Sequence, residues 1–93
     1  MITAEVTTPL NRRCVARAFG RALKECRKAR GISQEELASR TDIDRTYPSL
    51  LERGLRTPTL AMLLVIAQAL DVPPEQLIAE TLTRLCAGHE QSR

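Results

Sequence analysis

Aromatic side chains are almost missing from this 93-residue chain: one Phe, one Tyr and no Trp, about 2% of the residues. A β-sandwich leans on aromatic and β-branched residues, so that scarcity argues against one. Histidine occurs once, at position 89, and the three cysteines, Cys14, Cys26 and Cys86, form no CxxC pair. An odd number of thiols cannot pair completely within one chain, and no cluster has metal-ligand spacing. Cys26 and Cys86 therefore read as small packing residues. A Gly-rich phosphate loop is lacking, and so is a Ser-His pair able to activate a nucleophile, which leaves no basis for an enzyme or a cofactor. The longest apolar stretch is well short of the roughly 18 residues needed to span a bilayer, and residues 1–8 lack the pattern of a secretory leader. A soluble, cytoplasmic protein is the expectation, with no membrane partner and no small-molecule ligand.

What is plentiful is aliphatic: thirteen Leu and eleven Ala within a 43% apolar composition. Both favour helices, and a chain this short builds one domain, so the expected fold is all-α. Its net charge of +3 conceals a strong asymmetry. Residues 12–30 carry Arg12, Arg13, Arg17, Arg21, Lys24, Arg27, Lys28 and Arg30 against Glu25 alone. A basic block of this density fits either a solvated helix face or an anionic partner, and charge alone does not choose between them.

Periodicity divides the chain into five helices. Residues 1–11 show no helical period and read as a flexible arm, 12–87 as the domain, and 88–93 as a frayed tail. In the first helix Val15, Phe19, Ala22, Leu23, Cys26 and Ala29 recur at steps of three and four until Gly31. Ser33 and Glu36 form an S-x-x-E capping box, with Ile32 and Leu37 at the staple positions, which starts a short second helix. A turn at Asp42-Ile43-Asp44 leads into a third helix, expected from about Arg45 to Glu52 with Asp44 as N-cap and Gly54 as the stop. Two short helices joined in this way make a helix-turn-helix. On the third, Ile43, Pro48, Leu51 and Leu55 fall to one side, whereas Arg45, Thr46, Ser49 and Arg53 form a short polar face able to meet base edges. Leu60–Leu70 is apolar all round and reads as the central core helix. Pro73-Pro74 then opens a fifth helix, whose Ile78, Leu82 and Leu85 are left over as a candidate dimer seam.

These segments resemble the Cro/phage-repressor helix-turn-helix family, the xenobiotic-response-element type. The likeness rests on Phe19 to Arg27, on Gly31 to Ala38, on Glu52-Arg53-Gly54, on Pro58-Thr59 and on Ile66 to Leu70, in order and without gaps over residues 15–80. Arg45-Thr46-Tyr47, with Glu52 to Arg56 after it, is most similar to the controller proteins of restriction-modification systems, and phage regulators and antitoxins share the same short domain. The resemblance implies a compact five-helix domain and a homodimer that reads a pseudo-palindromic operator in double-stranded DNA and regulates its own gene. The alternative is an antitoxin-like or phage-type module whose main task is protein–protein interaction.

Residue by residue, the resemblance gives Arg45, Thr46, Ser49 and Arg56 as base contacts, and Ser33, Gln34, Tyr47 and Arg53 as phosphate contacts. Arg45 could instead meet only phosphate, Tyr47 could cover the helix with its ring, and Arg56 could be a solvated loop charge. Arg27 and Glu52 are implied to be an internal ion pair outside the binding surface. Two positions depart from the family pattern. Asp42 stands where Gly is usual, at a cost in backbone strain. Pro48 stands inside the recognition helix: with Asp44 as the cap it deletes the first backbone bond, and a cap one or two residues later places it harmlessly in the first turn.

Overall fold

The computed structural model describes residues 10–91, with side-chain surroundings described through Leu85. Its five helices are α1 (Arg12–Ala29), α2 (Gln34–Thr41), α3 (Tyr47–Glu52), α4 (Leu60–Ala69) and α5 (Pro74–Gln91). The expected arm falls largely outside the described residues; of its last two, Leu10 is exposed and the Asn11 carboxamide caps α1, accepting from the Arg13 and Cys14 amides.

The helix ends follow one rule. After each of α1 to α4 comes a left-handed residue, Gly31, Asp42, Gly54 and Asp71, with φ between 58° and 75°. In every case the residue beyond it donates its amide back across the last turn: Ile32 to Arg27, Ile43 to Ala38, Leu55 to Leu50 and Val72 to Ala67. This is the Schellman closure, which satisfies carbonyls that a helix end would otherwise leave open. Asp42 thus takes the conformation its position demands, at φ 58° and ψ 43°.

At the start of α2 the Ser33 hydroxyl accepts from the Glu36 amide at 3.0 Å, and Ile32 and Leu37 are both buried. The reciprocal half of the expected capping box does not form, because the Glu36 carboxylate turns to Arg40 one turn along, at 2.6 Å.

Helix α3 begins two residues later than its sequence pattern predicts. Thr46 is its N-cap and Pro48 its second residue. A start at Arg45 would require an amide on residue 48 to donate to Asp44, and proline has none. The later start places the proline among amides that have no helical partner anyway. Asp44 instead closes the preceding turn: its backbone carbonyl accepts from the Tyr47 amide at 2.9 Å, and its carboxylate from the Thr46 amide at 3.3 Å. Of the four residues expected on the buried side, Pro48 and Leu51 are buried and Ile43 half-buried, while Leu55 is exposed beyond the helix.

The core is aliphatic apart from Phe19. Leu23 of α1, Leu37 of α2, Leu51 of α3, Ile66 and Leu70 at the end of α4, and Leu77 of α5 are all essentially inaccessible. Ala29, expected on the apolar side of α1, lies exposed at its last turn. Cys26 is half-buried against this core, and burial, assisted by the Glu80 carboxylate, pushes its thiol pKa up. Cys86 lies outside the described side chains.

The largest departure concerns α4. Only Ile66 and Ala67 within it are buried, and Leu60, Leu64 and Val65 are 70%, 45% and 40% exposed. It packs on α2 and α5 from one side, and no described element covers the other. The uniform apolarity that marked it as a central helix belongs to a helix with one buried and one open face. Helix α5 runs along α1, where the Arg84 guanidinium bonds both Glu80 and Glu25. Its backbone stays helical to Gln91, past the expected boundary at Gly88. Among the described residues, no single helix is long and apolar enough to cross a membrane.

Candidate nucleic-acid interface

The site is organised around a charge buried where three segments meet. The Glu52 carboxylate, 3% exposed at the end of α3, accepts from Arg27 Nε at 2.6 Å and Arg27 Nη2 at 3.1 Å. Arg27 also donates through Nη1 to the Ile32 carbonyl at 2.8 Å, in the connection that leads to α2. Gln34, the first residue of α2, donates Nε2 to the same carboxylate at 3.0 Å. The end of α1, the start of α2 and the end of α3 are therefore fixed to one another by directional, charge-assisted bonds.

Two further arginines brace the arrangement. Arg30 donates to the Asp71 carbonyl at 2.9 Å and Arg40 to the Ala69 carbonyl at 3.2 Å, so both place a cation at the negative end of α4. Neither contact was legible in the sequence, since each joins residues about thirty or forty positions apart.

On the outer surface, Arg45 and Thr46 occupy the turn immediately before α3, both exposed. Arg45 Nη2 lies 3.1 Å from Glu35 Oε2 of α2, with both side chains about three-quarters exposed. Glu35 is the neighbour that sequence reasoning missed: it was visible only as an acidic residue in the first turn of α2, and the tight turn brings it opposite Arg45. Further along α3, the Ser49 hydroxyl accepts from Arg53 Nε at 3.2 Å. Arg56 is exposed in the following loop and makes no ion pair among the described residues. Tyr47 is half-buried and packs against the core.

The predicted contacts thus separate into three situations. Arg45, Thr46, Arg53 and Arg56 are exposed around the two ends of α3. Ser33 and Gln34 sit at the positive end of α2, although both side chains already hold intramolecular bonds. Ser49 and Tyr47 are half-buried.

Such an arrangement, a short helix presented by a rigid turn with its polar head exposed, defines a helix-turn-helix domain. The chain belongs to the helix-turn-helix family, whose sequence model matches residues 23–77. It is 38% identical over 69 residues to the control protein C.BamHI of Bacillus amyloliquefaciens, covering 73% of this chain and 85% of that one. Among solved structures, the restriction-modification controller protein C.AhdI from Aeromonas hydrophila matches at 44% identity and a TM-score of 0.65, covering 67% of this chain and 94% of that one. The controller protein C.Esp1396I, solved as a tetramer in complex with its natural 35 base-pair operator, matches at 28% identity and a TM-score of 0.70 over 77% of this chain and 95% of that one.

Proposed function

We propose that this protein is a sequence-specific transcriptional regulator of the controller type, a homodimer that binds a pseudo-palindromic operator and regulates its own gene. The head of α3 enters the major groove of each half-site. The observation that carries this reading is the exposed Arg45-Thr46 pair, held in fixed register with the start of α2 by the Arg27–Glu52–Gln34 network. In that pose the Arg45 guanidinium pairs bidentately with guanine, and Thr46 bonds a base or touches a thymine methyl. Ser49 and Arg56 supply further base contacts, and Ser33, Gln34, Tyr47 and Arg53 hold phosphates. The role is binding, not catalysis. It needs no cofactor or small-molecule ligand, and it places the protein in the cytoplasm with the chromosome.

One short helix reads few bases, so useful specificity needs two heads about 34 to 36 Å apart. The open apolar face supports such pairing. Leu64 and Val65 of α4 and Ile78 of α5 are exposed, and a shallow depression lined by Leu64, Gln68, Val72 and Pro73 lies at the joint between the two helices. Ile78, Leu82 and Leu85 form the α5 side of the proposed seam, with Leu82 and Leu85 half-buried within the single chain.

The test is binding to a fragment of the protein's own promoter at two salt concentrations, beside sedimentation at micromolar protein. Binding that survives competitor DNA and weakens steeply with salt is expected, from a dimer. A monomer without preference for the promoter would reject the reading.

A further inference from the structure

Five basic residues of α1 are not used by the recognition surface. Arg13, Arg17, Arg21, Lys24 and Lys28 are all exposed, and none belongs to an ion pair among the described residues. The single acid of that helix, Glu25, is taken by Arg84. At about 100° per residue the five fall within a sector of roughly 80°, and at 1.5 Å per residue they extend over about 22 Å. They make a straight row of like charges at i,i+4 and i,i+3 spacing, an arrangement that disfavours the isolated helix. The first turn adds to the conflict: it holds Arg12 and Arg13 and no acid, at the end where the helix dipole is already positive.

The row lies beside the recognition element. A Cβ on Gly54 would lie 2.7 Å from Arg17 Cγ and 3.1 Å from its Cα, so α1 runs against the exit of α3, where Arg53 and Arg56 are exposed. At the other end, Lys24 and Lys28 flank Arg27, whose partner Glu52 also holds Gln34 at the start of α2.

We propose that this row on α1 is a second DNA-contact surface, which takes the sugar-phosphate backbone of the duplex flanking the bases read by α3. The inference rests on the DNA-binding reading above. Long flexible cations without fixed hydrogen-bond geometry suit phosphates better than base edges. An acidic protein partner is the competing occupant, but protein interfaces are built around buried apolar anchors. No large apolar side chain is exposed on α1.

The experiment compares wild type with the combined variant Arg13→Gln, Arg21→Gln, Lys24→Gln, Lys28→Gln; Arg17 is kept because it packs against Gly54. The probes are the tightest duplex recovered by selection from a randomised pool, the same duplex extended by about ten base pairs on each side, roughly one helical turn, and a scrambled duplex of the extended length. Thermal unfolding first establishes that the variant is folded. For wild type, the slope of log affinity against log salt should be steeper on the extended duplex. The variant should lose that difference, its slope falling by about 0.9 for each phosphate contact removed, while its preference for the selected over the scrambled sequence stays within about twofold of wild type, as expected for phosphate contacts. Equal slopes for both proteins on the extended duplex would overturn the proposal, and that is the result an acidic protein partner predicts. Failure of the DNA-binding reading itself looks different: wild type would not distinguish selected from scrambled DNA, and both inferences would fall.

Discussion

Arg27 and Glu52 meet through two parallel hydrogen bonds, Nε to Oε2 and Nη2 to Oε1, in a setting where their side chains are only 10% and 3% exposed. The pair joins α1 to α3, and through Gln34 it also reaches α2. The three elements that must keep register for α3 to be presented correctly share one carboxylate.

Glu52→Ala should therefore cost about 3 to 5 kcal/mol, because it leaves the Arg27 guanidinium buried without its counter-ion. Denaturant unfolding with an unchanged m-value is the measurement. Replacing both partners together, as Arg27→Met with Glu52→Leu, should recover a large part of the loss, since no buried charge then remains. A double variant less stable than either single one would show that the pair is not the source of the effect.

Gly20 is where α1 crosses the end of α3. A Cβ there would lie 2.5 Å from the Leu51 carbonyl oxygen and 2.6 Å from that of Glu52, both backbone atoms. Gly20→Ala gains roughly 1 kcal/mol in helix propensity, yet the collision should outweigh it and leave a net loss of about 1 to 3 kcal/mol. Thermal unfolding decides the sign, and a stabilised variant would mean that the two helices separate without cost.

Asp42→Gly should act in the opposite direction. The aspartate holds a left-handed backbone, and its charge sits at the negative end of α2. Glycine relieves both, at some entropic cost in the unfolded chain, for a net gain of about 0.5 to 1 kcal/mol. On a domain of this size that gain raises Tm by a few degrees, about 2 to 8 °C. A lower Tm would indicate that the Asp42 carboxylate has a compensating role in the turn.

Arg45 and Gln34 should separate specificity from affinity. Arg45→Ala is expected to cost about 1 to 3 kcal/mol on operator DNA and to relax selection at one base position, whereas Gln34→Ala should weaken binding to all sequences alike. The Arg45–Glu35 pair is too exposed to support the fold, so Arg45→Ala should leave Tm nearly unchanged. Equal losses on operator and random DNA would exclude base reading by Arg45.

Much of this architecture was legible because its signals are local. Ser33 as a cap, Asp42 as a left-handed stop and Gly54 after α3 each act within a few residues, and each occurs where the sequence places it. The alternatives at Pro48 were likewise confined to one turn, and the missing amide settles them in favour of the later start. What was not legible depends on the tertiary arrangement. The open face of α4 cannot be told from a buried one by hydropathy, because Leu64 and Ile66 are equally apolar and only packing distinguishes them. For the same reason, the contacts of Arg30 and Arg40 with the end of α4 leave no periodic trace in the sequence.

The repeated helix stop also governs where this chain tolerates a change of length. Connections of four, five and four residues follow α1, α2 and α4, and most of each is occupied by the left-handed residue, its returning amide and the next cap. One inserted residue there would uncouple a stop from the start that follows it. Between α3 and α4 the connection is seven residues long, and only its first three are bound into the closure. Insertions should be accepted between Arg56 and Thr59, beside the recognition element, so the reach of this loop can change without disturbing the helix packing beneath it.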